Sequence, residues 1–228
     1  MDQVERKKSM LLMLMVILVA LVALVGISFA LYGVVVDDDK IGKIVTGGFT
    51  INYETYDGYC SNSKYYALDS CQKSGNMWIK SSNSLSMSGL RPVSDAVGAS
   101  VNNENSIIVF GVSADSNAAY YTVSLIDLVF GETLSKEYIK INLMKNGKYV
   151  LGSSDTGVLL DSLEEKENSI VLNSTTIDKN TKDVYVLRAW IDNTYSPEIM
   201  EKEEDNKHVI EVKKEEVSFR IRVYAEIR

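Results

Sequence analysis

The sequence predicts an all-β fold: an antiparallel, jelly-roll-like β-sandwich of roughly eight strands, preceded by an N-terminal apolar helix. Three observations carry this. Past Asp39, apolar and polar residues alternate with the period of a strand. Clusters of Gly, Ser, Asn and Asp punctuate the alternating runs. Before them stands one uncharged run, Ser9 to Val36, unlike anything later in the chain.

That run follows Arg6, Lys7 and Lys8, and its centre, MLLMLMVILVALVALVGI, has no polar side chain. Residues 1–36 therefore read either as a secretory signal peptide or as a membrane anchor helix. Ser28-Phe29-Ala30 supplies a small-x-small cleavage pattern between Ala30 and Leu31, and Gly26 sits just upstream. In both readings the basic residues stay inside and the chain from Asp37 onward is exported. Residues 37–228 then form one extracellular β-sandwich domain, long enough to bury a real core.

Within that domain the strands follow in order. IVTGGFTINYE, SIIVFGVSA, AAYYTVSLIDLVF and SIVLNSTTI each read as a strand. YIKINLMKNGKYVL reads as a hairpin, with Asn146-Gly147 at the tip where positive φ is required. In KDVYVLRAWID, Tyr185, Leu187, Ala189 and Ile191 share one face and Trp190 takes the other. In the last segment Val217, Phe219, Ile221, Val223, Ala225 and Ile227 alternate with polar residues. Both prolines, Pro92 and Pro197, fall in loops.

Two regions break the pattern. Residues 196–215 form a charged excursion, expected to hold a short helix and a short strand. Residues 53–78 form a Tyr-rich insert. Cys60 and Cys71, the two cysteines of the chain, lie in it. In an oxidising space they close a small loop, worth about 2–3 kcal/mol; otherwise they are two thiols. Tyr53, Tyr56, Tyr59, Tyr65, Tyr66 and Trp78 flank that loop. Of these, Tyr59, Tyr65, Tyr66 and Trp78 are the candidates for docking a protein partner or a glycan; packing against the sandwich edge is the competing reading.

Composition excludes several functions. Net charge is −7, and removing residues 1–36 takes away two acids and three bases, so the remainder is more acidic still. Such a surface repels phosphates, so no nucleic-acid partner is expected. The one histidine, His208, lies in the charged excursion. There is no HExxH pair, no G-x-S-x-G elbow and no P-loop. No catalytic residue, metal ligand or cofactor site is expected.

The stretch Gly26-Ile27-Ser28-Phe29-Ala30, then Tyr32, then acids, then Ile44-Val45-Thr46-Gly47-Gly48-Phe49-Thr50-Ile51, resembles the start of the TasA/camelysin family of exported bacterial proteins. Val109–Val112, Tyr121–Leu125 and the closing Trp-Ile-Asp resemble it more loosely. The resemblance implies a jelly roll, cleavage after Ala30 by a dedicated signal peptidase, and a surface, matrix or biofilm-fibre protein. It also implies a donor strand, Leu31, Tyr32, Val34, Val35 and Val36, freed by cleavage and added to the next copy. Such a tail is apolar and β-prone with no core of its own to join, so an open sheet edge suits it. The protease activity attributed to camelysin is not carried over, because this chain has no His pair. The expected partner is the chain itself, in a fibre, or a surface protein or glycan if the N-terminal helix remains as a membrane tether.

Overall fold

A computed structural model describes residues 13, 15–19, 32–35, 41–46, 49–62, 65, 67–82, 84–88, 91–100, 103–115, 117–196, 199–204, 207–212 and 216–226. The chain opens with β1 (Tyr32–Val35), β2 (Ile41–Thr46) and β3 (Phe49–Tyr56). β4 (Gly58–Cys60), α1 (Leu68–Lys73) and β5 (Trp78–Lys80) follow. Next come β6 (Leu85–Ser88), α2 (Asp95–Ala99), β7 (Ile107–Ala114) and β8 (Ala119–Phe130). β9 (Ile139–Lys145), β10 (Lys148–Leu151), β11 (Val158–Leu159) and β12 (Glu165–Lys166) precede β13 (Ser169–Ile177) and β14 (Thr181–Ile191). β15 (Ile199–Glu204), β16 (Lys207–Val212) and β17 (Glu216–Glu226) close the chain.

The fold is an all-β sandwich with antiparallel pairing. One sheet runs β1-β17-β8-β13-β12, with β6 also on β17; the other runs β10-β9-β14-β7-β3-β2, with β11 on β9. The alternation in β17 is realised: Val217, Phe219, Ile221, Val223 and Ala225 are buried. They meet Tyr185, Leu187, Ala189 and Ile191 of β14 in one core cluster that both sheets share. The turn after β9 has φ of 51° at Asn146 and 76° at Gly147, the left-handed geometry that Asn-Gly accepts.

The seven-stranded sheet departs from simple alternation. Every residue of β7 from Ile107 to Val112 is buried, and so is every residue of β14 from Tyr185 to Ile191. Both faces of this sheet are therefore covered. On the outer face α2 lies over Trp190. A Cβ at Gly98 or at Gly157 would overlap the Trp190 ring, so glycine at both positions lets the backbone close on the indole. Lys140 Nζ ties the same corner, 2.8 Å from Asp95 and 2.5 Å from Asp192. Burial opposes the charge on Asp192, but Lys140 and Thr194 outweigh it and hold the carboxyl below its usual range.

Between the sheets lies a polar knot. Tyr121 donates to Asp183 at 2.7 Å and its hydroxyl lies 2.6 Å from that of Tyr185. Asn146 and Lys145 also reach Asp183, at 2.7 and 2.9 Å. Burial pushes the Tyr185 phenol up to about 12 and raises Tyr121 and Tyr53 as well.

Four expectations need correcting. Residues 196–215 hold no short helix among the described residues; β15 and β16 form a hairpin, Ile199 facing Val212 and Glu203 facing His208. IVTGGFTINYE is two paired strands, β2 and β3. The strand count exceeds eight, because strands of two to four residues are too short to leave an alternation signal. Residues 32–35, the end of the segment expected to be signal peptide or anchor helix, also form a strand of the domain's own sheet. β1 pairs with β17, Tyr32 facing Ala225 and Val35 facing Arg222. It shares that edge of β17 end to end with β6, which covers Glu216–Phe219. Met13 and residues 15–19 are helical and exposed, and no helix among the described residues is long and apolar enough to cross a membrane.

Gly98→Val is expected to destabilise the domain by about 1–3 kcal/mol through overpacking at Trp190, read from denaturant midpoints. Phenols whose folded pKa is raised stabilise the fold fully below the unfolded value of 10 and lose that contribution as pH climbs through the folded value. Stability is therefore expected to fall between about pH 10 and 12, and Tyr185→Phe to flatten that fall in a pH-resolved unfolding series.

Candidate functional site

The Tyr-rich insert becomes a small folded cover. Gly58, Tyr59 and Cys60 of β4 pair with Lys80, Ile79 and Trp78 of β5. Cys60 and Cys71 are joined in a disulfide that ties β4 to α1, and both are buried. The Met77 carbonyl accepts from the Ser61 amide at 2.8 Å, and the Met77 amide donates to Ser61 Oγ at 3.1 Å. Trp78 packs beneath Gly58, where a Cβ would approach its Nε1 to 2.6 Å.

This cover sits on the outer face of the seven-stranded sheet. Ile79 of the insert joins Ile107, Val109 and Val186 in a second apolar cluster, with Tyr56, Tyr59, Met144 and Val184 packed against it. The Arg188 guanidinium donates to the Tyr59 hydroxyl and lies over its ring, 5.4 Å from the centroid. Burial raises the Tyr59 phenol pKa and Arg188 partly offsets the rise. Tyr56 donates to Glu54 at 2.5 Å, and Lys182, ion-paired with Glu54, stands 4.8 Å above the Tyr56 ring. Burial lowers the Lys182 pKa.

Where the cover stops, a cleft of about 170 Å³ remains. Val109, Val184, Val186 and Met144 form its apolar floor, and Tyr56, Tyr59 and Tyr65 its walls. Gly58 to Ser61 run along one side, and Asn146-Gly147 close the other. Asn146 is committed to the fold: it donates to Asp183, and its carbonyl oxygen accepts from the Val184 amide at 2.8 Å. The cleft offers apolar surface and tyrosine rings. Among the described residues no three or more His, Cys, Asp or Glu are gathered as a metal site.

The chain matches no family model, no curated protein and no solved structure.

Of the residues singled out by sequence, Tyr59 and Tyr65 are brought together at the cleft. Trp78 is not; it lies against a separate shallow depression with Asp57, Leu68 and Gln72. Tyr53 faces the core and stacks on Phe110 at 5.7 Å. Tyr66, the cleavage pair Ala30 and Leu31, and Val36 of the donor segment lie outside the described residues. Sequence reasoning missed Val109, Met144, Val184, Val186 and Arg188, which come from distant strands. The signal was there in part: Val184, Val186, Arg188 and Trp190 share the face of β14 opposite its core face.

Replacing both cysteines by serine is expected to cost about 2–3 kcal/mol, the scale for closing a short loop. Hydrogen exchange should speed up in β4, α1 and β5 while β8 and β17 stay protected.

Proposed function

We propose that the protein is an exported cell-surface or extracellular-matrix structural protein that assembles by exchanging its N-terminal strand. One observation supports this reading: Tyr32–Val35, at the end of the uncharged run and just past the expected cleavage point, lie as an edge strand on β17. The same pairing, made by the β1 of a second copy, would link two molecules through identical contacts, the low-cost route of strand exchange. Cleavage between Ala30 and Leu31 would free the donor strand from the membrane. Each copy then gives one strand and accepts one, which builds an open fibre. The reading needs no cofactor, metal or catalytic step, and the acidic surface disfavours nucleic acid.

A second reading is favoured by the cleft. If the N-terminal helix stays uncut, the domain is a membrane-tethered adhesion module that uses the Tyr-rich insert. The two readings diverge at the mature N-terminus.

The protein beginning at Leu31 is expected to form concentration-dependent polymers by light scattering and electron microscopy, and one beginning at Asp37 to stay monomeric. Equal polymerisation of both would remove strand exchange from the account.

A further inference from the structure

We propose that β4 and the cleft beside it form a site for an extended segment of another protein. That segment adds as a strand along β4 and places one aromatic or large aliphatic side chain in the cleft. The inference is independent of assembly through β1.

Gly58, Tyr59, Cys60 and Ser61 are consecutive, and all four line the cleft. Gly58, Tyr59 and Cys60 belong to β4, and because successive side chains of a strand point to opposite faces, three in a row along one cavity place the strand's edge toward it. β4 pairs with β5 on one edge, and no strand among the described residues pairs with the other. An open edge presents amide and carbonyl groups to an incoming strand.

The cleft sets the side chain. Its volume of about 170 Å³ falls below that of usual small-molecule pockets, about 300–1,000 Å³, and suits one large side chain. The floor is aliphatic, with Met144 placed to contact a ring. A sugar is a poor fit: the Tyr56 and Tyr59 hydroxyls are already engaged by Glu54 and Arg188, and Asn146 by Asp183 and Val184. The floor of three valines and Met144 gives sugar hydroxyls no strong partner.

Charge sets the flanks. Lys148 is exposed just after Gly147, while Lys182, over the Tyr56 wall, is already paired with Glu54. An acidic residue two places from the buried side chain falls on the same face and meets Lys148.

The test is a titration of the full chain, disulfide intact and 15N-labelled, with the peptide acetyl-Glu-Val-Phe-Val-Glu-amide. Amide shifts are expected at residues 58–61, 144–147 and 184–186, and a Phe-to-Ser peptide should bind at least about tenfold more weakly. Val184→Phe, which fills the cleft, should weaken binding by a similar factor. Lys148→Glu, at an exposed position, should weaken it without altering the fold. No shifts at millimolar peptide, shifts confined to the β2 edge, or equal binding of the Ser peptide would overturn the proposal.

Discussion

The structure depends on covering the outer face of its larger sheet. β7 and β14 carry apolar side chains on both faces: Phe110 and Leu187 point into the sandwich, Val109 and Val186 away from it. A sheet built this way cannot leave its outer face in water. Each of the four residues Ile79, Ile107, Val109 and Val186 contributes about 1.5–3 kcal/mol when fully buried, as an upper estimate. Together they outweigh the disulfide's contribution of about 2–3 kcal/mol. Apolar contact holds the Tyr-rich insert down, and the Cys60–Cys71 bridge keeps the insert itself in shape.

Several features follow from that constraint. Gly98 and Gly157 allow close approach to Trp190, so α2 and the segment before β11 cover one end of the outer face. The insert covers the middle. Arg188 is drawn deep beneath the cover, and Tyr59 receives both its donor and its planar face. Near Asn146 the cover ends and the cleft begins. The cleft is thus the boundary of a packing solution, and its tyrosine walls and aliphatic floor come from residues needed to seal the sheet.

Much of the frame was legible in the sequence. The long strands announce themselves through period-two alternation, as in β17, and the Asn146-Gly147 turn through its residue types. The hairpin of β15 and β16 was not legible, because dense charge in residues 196–215 obscures alternation. Short strands such as β4, β5 and β12 fall below the length at which a pattern can be seen. The site was half legible. Tyr59 and Tyr65 stood out by type, but their partners come from β7, β9 and β14, and no local spacing records that meeting. The double-sided burial of β14 had a trace in its near-continuous apolar run VYVLRAWI.

The functional readings use two edges of one molecule. β17 is completed by β1 in its own chain, and the exchange of that strand is the basis of the assembly proposal. β4 is paired on one side beside an apolar cleft, the basis of the binding proposal. The binding proposal presumes the insert is a fixed part of the domain. The most direct test is a methyl NOE experiment on the intact chain. The account predicts cross-peaks from the Ile79 methyls to those of Val109 and Val186, across the junction of insert and sheet. An Ile79 methyl at its random-coil shift with no cross-peak to β7 or β14 would contradict it.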